Sequence, residues 1–210
     1  MTKEEIAEKA VETLENLYPD ARCSLVYRKP YELLIATRLA AQCTDARVNL
    51  VTEKLFDKYK TLEDFANADY GELCDDIRPC GFFRKKANDI IETSKILLSE
   101  YGGGLPDTME ELTKLPGVGR KTANLIMGDV FGKPAIVTDT HFIRIMGRLG
   151  LTDSKSPERV ERDLRPLLPP EKSSDFCHRV VIFGRDICSA RKPLCSICPM
   201  TELCREYSEK

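Results

Sequence analysis

Residues 115–121 read Leu-Pro-Gly-Val-Gly-Arg-Lys and separate two stretches with helical periodicity. Two glycines let the backbone turn sharply and let a phosphate approach without a Cβ in the way. The amides of such a turn, and the free N–H groups that begin the next helix, point toward one anion. We interpret the stretch as a helix–hairpin–helix motif that binds a phosphate through Gly117, Val118 and Gly119, with Val118 packed under the turn. A helix–turn–helix corner without a ligand is the alternative.

On both sides of this turn the chain predicts helices. Thr2-Lys3-Glu4-Glu5 is a capping box, Pro30 can open a second helix, and Thr44-Asp45 can cap a third. No period-2 pattern predicts a strand, and Ala135–Val137 is expected to be a short extended return. The sequence therefore predicts an all-α protein. Its further helices are expected at 61–68, 70–77, 84–100, from an Asp107 cap to 112, 120–131, from an Asp139 or Thr140 cap to 149, from 157 and from 174.

Composition excludes several classes. The 210 residues carry a net charge of -2, are 42% hydrophobic and include twelve Gly and twelve Pro, which excludes collagen-like and low-complexity chains. No apolar run reaches the roughly 18 residues that a membrane span needs. The start, MTKEEIAEKA, lacks the pattern of a signal peptide, so we expect a protein that stays inside the cell. Basic residues outnumber acidic ones in 111–150 and 179–205, so a polyanion is expected to meet the second half of the chain.

Lys121 and Asp139 are the candidate reactive groups. Lys121 lies in the first turn of a predicted helix, where the macrodipole and Arg120 favour an uncharged, nucleophilic amine. The helix carries the chain about 15 Å away, and the extended stretch to Asp139 returns it by roughly 16 Å. Asp139 is therefore expected level with Lys121, where it could accept a proton or stabilise a sugar cation. A charged lysine that only binds phosphate, and an aspartate that only caps a helix, are the alternatives.

Four of the nine cysteines are clustered near the C-terminus, with the spacing Cys188-x6-Cys195-x2-Cys198-x5-Cys204. Four thiolates so close together suit an iron–sulfur cluster or a tetrahedral metal, although the long loops are irregular for zinc. Arg191 and Lys192 lie in the first loop and are expected to contact DNA electrostatically. The scattered cysteines are expected in the core, namely Cys23, Cys43, Cys74, Cys80 and Cys177.

These features together resemble the endonuclease III family of DNA glycosylases. The resemblance rests on LPGVGRK at 115–121, TDTH at 138–141, AQCTD at 41–45 and the cysteine spacing. It implies two helical domains, residues 23–133 and residues 1–22 with 134–210, the second around one [4Fe-4S] cluster. It also implies a base excision repair enzyme that binds damaged double-stranded DNA, removes oxidised pyrimidines and cleaves the strand as an AP lyase. The cluster is then expected to be structural or redox-sensing rather than a Lewis acid.

The resemblance also assigns roles to single residues. Lys121 matches the family's Schiff-base lysine and Asp139 its catalytic aspartate. Gln42 matches the glutamine that fills the gap left by a flipped nucleotide, and Phe82 stands where the family commonly has a wedge leucine. Thr138 replaces the usual valine. His141 and Arg144 are expected at the DNA, and we expect a monomer in the cytoplasm, associated with the nucleoid and not with a membrane.

Two other functions remain open from the sequence. An adenine-removing relative typically lacks the lysine at position 121 and uses an acidic base near the N-terminal helices. A non-enzymatic DNA-binding module would keep the hairpin and the cluster but have no use for Lys121 with Asp139.

Overall fold

A computed structural model describes residues 1–208, and within that range it contains helices and no β-strand. The all-α prediction is confirmed. Residues 209 and 210, which belong to the predicted second domain, lie outside the described residues. The α-helices are α1 (Lys3–Leu17), α2 (Pro30–Ala40), α3 (Asp45–Lys58), α4 (Leu62–Ala66), α5 (Tyr70–Asp76), α6 (Phe83–Tyr101), α7 (Met109–Leu112), α8 (Arg120–Asp129), α9 (Thr140–Arg148), α10 (Pro157–Leu164), α11 (Ser173–Asp186) and α12 (Arg205–Ser208).

Local capping explains where most of these helices begin. The Thr2 hydroxyl accepts a hydrogen bond from Glu5 N, and the Glu5 carboxylate accepts one from Thr2 N, so the predicted capping box is confirmed. Pro30 opens α2, and Thr44 caps α3. The Asp107 cap was wrong by one residue. Thr108 adopts the extended conformation and accepts from Glu111 N, because it directly precedes the first helical residue of α7.

The described chain divides into two compact units. The first, here called the central unit, is Cys23–Phe131. In it the long helix α6 packs against α4, α5 and α2. Phe65 of α4 and Ile90 and Leu97 of α6 are almost completely buried, and Phe65 stacks on Tyr59 with ring centroids 5.1 Å apart. Burial of this apolar surface fixes α6 as the support for the rest of the unit.

The second, here called the terminal unit, consists of Met1–Arg22 and the chain from Gly132 onward. Helix α11 packs against α1 and α9. Phe142 of α9 meets Phe176 of α11 edge to face, with ring centroids 6.1 Å apart, and both rings are fully buried. Helix α9 is thereby held rigidly against α11.

Cysteine burial matches the prediction only in part. Cys74, Cys80 and Cys177 are buried, but Cys23 and Cys43 are half-buried and not core residues. Both lie in connecting segments between helices. In the part of the chain that the structure describes, no helix is long and apolar enough to span a bilayer.

Candidate functional site

The turn at 115–119 has the geometry of an open anion-binding corner. Gly117 has a φ of 73°, which glycine adopts without strain. Val118 N donates to Leu115 O at 3.1 Å, and the Val118 side chain is buried, as predicted. Gly119 is the N-cap of α8 and contributes no side-chain cap of its own. The turn therefore presents backbone amides to a ligand.

A buried ion pair supports the turn from below. Arg38 of α2 meets Asp89 of α6, with Nη2 and Nε lying 2.6 Å and 2.8 Å from Oδ2. A Cβ on Gly117 would lie 2.8 Å from that same oxygen and closer still to the Arg38 side chain. The Thr93 hydroxyl donates to Pro116 O at 3.2 Å. Glycine is thus required at 117 for two reasons, its φ and the ion pair beneath it.

Gly119 differs from Gly117 in what surrounds it. Its φ is -99°, which any residue can adopt, and a Cβ built on it would meet nothing within 4 Å. No feature of the fold itself therefore requires glycine at 119. The open space in front of it is where a phosphate could approach the amides of α8.

Lys121 lies beyond this turn, in the first turn of α8, and its side chain is exposed. An amine that attacks an incoming sugar has to be accessible in this way. Arg120 beside it is also exposed. The sequence therefore forms the predicted lysine-bearing helix start.

Asp139 is in the terminal unit and caps α9. Its Oδ1 accepts a hydrogen bond from Phe142 N at 2.7 Å, so Asp139 rather than Thr140 is the cap. Among residues 1–208, no hydrogen bond involves its other carboxylate oxygen, Oδ2. Capping fixes the orientation of the carboxylate through one of its two oxygens.

Two arginines of helix α9 contact the cysteine loop, the name used here for residues 188–204. Arg144 donates from Nη2 to Cys188 O at 2.9 Å and to Gly184 O at 3.2 Å. Arg148 donates from Nη1 to Cys188 Sγ at 3.2 Å and to Ser189 O at 2.9 Å. Because these guanidiniums bind both the backbone and the thiol of Cys188, α9 orients the first cysteine of the loop.

His141 packs on α11 beside these arginines. A Cβ on Gly184 would lie 2.6 Å from its Nδ1, so the ring lies directly against the helix backbone. Arg144 Nη2 is 3.2 Å from the same nitrogen. Arg191 and Lys192, in contrast, are exposed. The contacts of His141 and Arg144 with DNA stay predictions.

Gln42 and Phe82 share an uncommon backbone conformation. They are the two residues other than glycine with positive φ in the described chain, at 56° and 49°. Left-handed backbone costs an L-residue about 1–2 kcal/mol. Gln42 is exposed, and Phe82 has two-thirds of its surface, 66%, in solvent. Strained, exposed side chains of this kind indicate a function, because the fold gains nothing from them.

Comparison with known proteins identifies the family. Residues 35–170 match the HhH-GPD superfamily of base excision DNA repair proteins. Endonuclease III of Bacillus subtilis (strain 168) is 46% identical over 204 residues, which cover 97% of this chain and 93% of the relative. The chain belongs to the endonuclease III family.

Other relatives agree with this assignment. Endonuclease III of Synechocystis is 45% identical over 97% of this chain and 93% of its own length. A solved endonuclease III, trapped as a covalent intermediate with DNA, superposes with a TM-score of 0.93 at 45% identity, covering 100% of this chain and 98% of that one. A thermostable thymine-DNA glycosylase superposes with a TM-score of 0.86 at 29% identity and 98% coverage of each chain.

The family assignment also settles the cofactor. Residues 188–204 match the iron–sulfur binding domain of endonuclease III, so the chain carries a [4Fe-4S] cluster. The four predicted cysteines fit such a group, since Cys188, Cys195, Cys198 and Cys204 line one cavity. Burial raises the pKa of Cys198 and Cys204, and neighbouring cysteines raise it further, which a positively charged iron centre would offset. Within residues 1–208 no group of three or more histidine, cysteine or acidic side chains is arranged to hold one metal ion, whereas the four thiols surround a shared cavity.

The family's sequence motifs did not reveal three supporting residues, Arg38, Asp89 and Lys86. Lys86 is 1% exposed, although its neighbour Lys85 is in solvent. One signal was present in the sequence, because Lys86 and Asp89 lie one turn from Ile90 and Thr93 on the face of α6 that is buried. The partners of these charges come from distant segments, which helical periodicity does not identify.

Proposed function

We propose that this endonuclease III relative is a bifunctional DNA glycosylase that removes oxidised pyrimidines and then cleaves the strand by β-elimination. The proposal depends mainly on Lys121, an exposed amine in the first turn of α8 directly after a turn that is open to phosphate. The solved endonuclease III that was trapped as a covalent intermediate with DNA supports a nucleophilic route for the family.

Binding in this proposal precedes chemistry. The amides of 117–119 hold one phosphate and fix the register without reading the base. The cations Arg191 and Lys192, with His141 and Arg144, add contacts near the cysteine loop. The damaged nucleotide leaves the stack at a cost of a few kcal/mol, and Gln42 and Phe82 fill the gap.

The chemical steps follow from the amine and the carboxylate. The Lys121 Nζ lone pair attacks C1′ while the bond from C1′ to the base breaks. The base leaves with the bonding electrons and gains a proton. Asp139 stabilises the positive charge that develops on the sugar. One proton of the new C1′-bound ammonium passes to the departing base. The C1′–O4′ bond then breaks as the nitrogen lone pair forms a protonated Schiff base, and O4′ takes up a proton. Removal of a C2′ proton finally sends electrons toward C3′ and breaks the C3′–O bond, which expels the 3′ phosphate.

The proposal includes a domain arrangement and a setting. The functional domains would be residues 23–133 and residues 1–22 with 134–210, an assignment supported by the two compact units. The four cysteines would ligate the cluster, which would hold the Arg191–Lys192 loop in shape. The enzyme would act as a monomer on damaged double-stranded DNA in the cytoplasm, associated with the nucleoid.

Borohydride trapping on a duplex with an abasic site tests this proposal. We expect the unaltered chain to form a reduced cross-link and Lys121→Ala to form none. On a duplex that carries an oxidised pyrimidine, Asp139→Asn should still bind and should lose at least about 100-fold in base release, as expected when charge stabilisation is removed. Equal trapping by Lys121→Ala would overturn the assignment, and a chain that binds but never traps would be a DNA-binding module.

A further inference from the structure

Lys86 is a buried cation that the proposed reaction leaves unused. Its Nζ donates to three backbone carbonyls of the central unit, Leu39 O at 2.8 Å, Ala41 O at 2.8 Å and Cys80 O at 2.9 Å. An ammonium has three hydrogens, so all of its donors are satisfied. Burial lowers the pKa of Lys86, while the adjacent Cys80 and Cys43 thiols raise it. The three acceptors belong to two separate segments of the chain, so the ammonium connects these segments.

Both segments carry one of the strained exposed residues. Ala41 directly precedes Gln42, and Cys80 is two residues before Phe82. The single Lys86 ammonium thus joins the end of α2 to the short helix Arg78–Cys80 that leads into α6. One group can therefore hold both gap-filling side chains in a fixed relation.

The contact with Ala41 has a specific conformational consequence. Ala41 has φ -59° and ψ 111°, Gln42 has φ 56°, and Cys43 N donates to Ala40 O at 3.1 Å, which together describe a type II β-turn. Types I and II differ in the direction of their central peptide. In a type I turn the Ala41 carbonyl would point the other way, and Gln42 would adopt a negative φ without strain. Residues other than glycine and asparagine disfavour type II at this position, so the bond to Lys86 selects it.

We propose that Lys86 is a positioning residue for recognition of the extruded-nucleotide gap: by holding the carbonyls of Ala41 and Cys80, it keeps Gln42 and Phe82 in the left-handed conformation that projects them into DNA. This inference rests on the proposed function, because it takes the gap-filling roles of those two residues from it. Lys86 itself touches neither DNA nor the reacting sugar.

The test compares the affinity for a duplex with a tetrahydrofuran abasic analogue and for the same duplex undamaged. The analogue has no C1′ hydroxyl, so no Schiff base forms and binding is measured alone. We expect Lys86→Met to reduce the damaged-to-undamaged ratio about tenfold while binding to undamaged DNA changes less than about twofold, since phosphate contacts remain. Lys86→Gln, which retains two donors, should lie between. Lys95→Met, an exposed lysine of the same helix, is the matched control and should match the unaltered chain.

A double-mutant cycle separates positioning from packing. Adding Lys86→Met to a Gln42→Ala, Phe82→Ala background should lower the ratio by less than about twofold, because the groups through which Lys86 acts are already gone. The inference would be overturned if Lys86→Met lowered the damaged-to-undamaged ratio by about tenfold in this background as well. It would also be overturned if Lys86→Met weakened binding to the damaged and the undamaged duplex equally. If Lys86→Met does not fold, Lys86→Gln is measured in the same cycle. If the unaltered chain bound the abasic-analogue duplex no more tightly than the undamaged duplex, the proposed function itself would be refuted.

Discussion

The hairpin turn and the Gln42 turn both use left-handed backbone, but they use it in opposite ways. At Gly117 a glycine occupies the left-handed position, and its missing Cβ makes room for the Arg38–Asp89 ion pair. At Gln42 a residue with a long side chain accepts the same backbone region with strain. The Gly117 turn presents backbone amides to a phosphate, so it can be built from glycine. The Gln42 turn has to position a side chain, so glycine cannot replace that residue and contacts from the rest of the fold must stabilise the turn.

The largest loss of stability is expected on substitution of Gly117, which lies against the Arg38–Asp89 ion pair. Gly117→Ala would force a left-handed alanine and push Arg38 away from Asp89, and breaking a buried pair costs roughly 3–5 kcal/mol. We expect chemical denaturation to show a loss of that size, together with loss of binding to any duplex. A stability within about 1 kcal/mol of the unaltered chain would mean that the ion pair does not constrain the turn.

Removing the cluster should affect the terminal unit and spare both turns. Without iron the loop 188–204 loses its shared anchor, so local opening becomes easier. We expect trypsin to cut between Arg191 and Lys192 about 30-fold faster after chelation, with unchanged protection inside Cys23–Phe131. Unchanged cutting at Arg191 would show that hydrogen bonds from Arg148 suffice to hold the loop, and faster cutting throughout would show that the units are not independent.

Relieving the strain should raise stability and lower function. Gln42→Gly and Phe82→Gly remove the penalty of a left-handed L-residue, so each should raise the free energy of unfolding by about 0.5–1 kcal/mol. Both should weaken binding to the abasic-analogue duplex, because the gap-filling group is lost. The matched Gln42→Ala should weaken that binding without any gain in stability. A fall in stability on Gln42→Gly would contradict the strain argument.

The smallest structural effect is expected at Gly119. Alanine fits the space there, but it is a poorer N-cap than glycine, so the exchange should cost roughly 0.5–1 kcal/mol. We expect Gly119→Ala to lower the melting temperature by at most about 4 °C and to weaken binding to damaged and undamaged duplexes alike, because its Cβ obstructs the phosphate. Undiminished binding would place the phosphate elsewhere.

Local signals in the sequence predicted much of the fold. Thr2, Pro30 and Thr44 mark helix starts through interactions within four residues, and these were confirmed. The cap predicted at Asp107 was wrong, because Asp107 and Thr108 can each cap a helix and the backbone angles decide which of them does. Local signals also gave no hint of positive φ at Gln42 and Phe82, because neither is a glycine or asparagine.

Long-range chemistry was harder to predict. Lys86 stands in a run of basic residues that is typical of an exposed helix face, yet it binds carbonyls 47 and 45 residues away in sequence. Arg148 binds the Cys188 thiol across 40 residues. Motifs identify the groups that do chemistry, whereas the groups that position them depend on packing between distant segments.

The central claim is that Lys121 is the amine that reacts with the sugar. Proteolysis and mass spectrometry of the borohydride-reduced complex would locate the bond directly. We expect a deoxyribose remnant on Lys121, with the peptide bond after it resistant to trypsin. A remnant on another amine, such as Lys114, Lys133 or the N-terminus, would show that Lys121 is not the nucleophile.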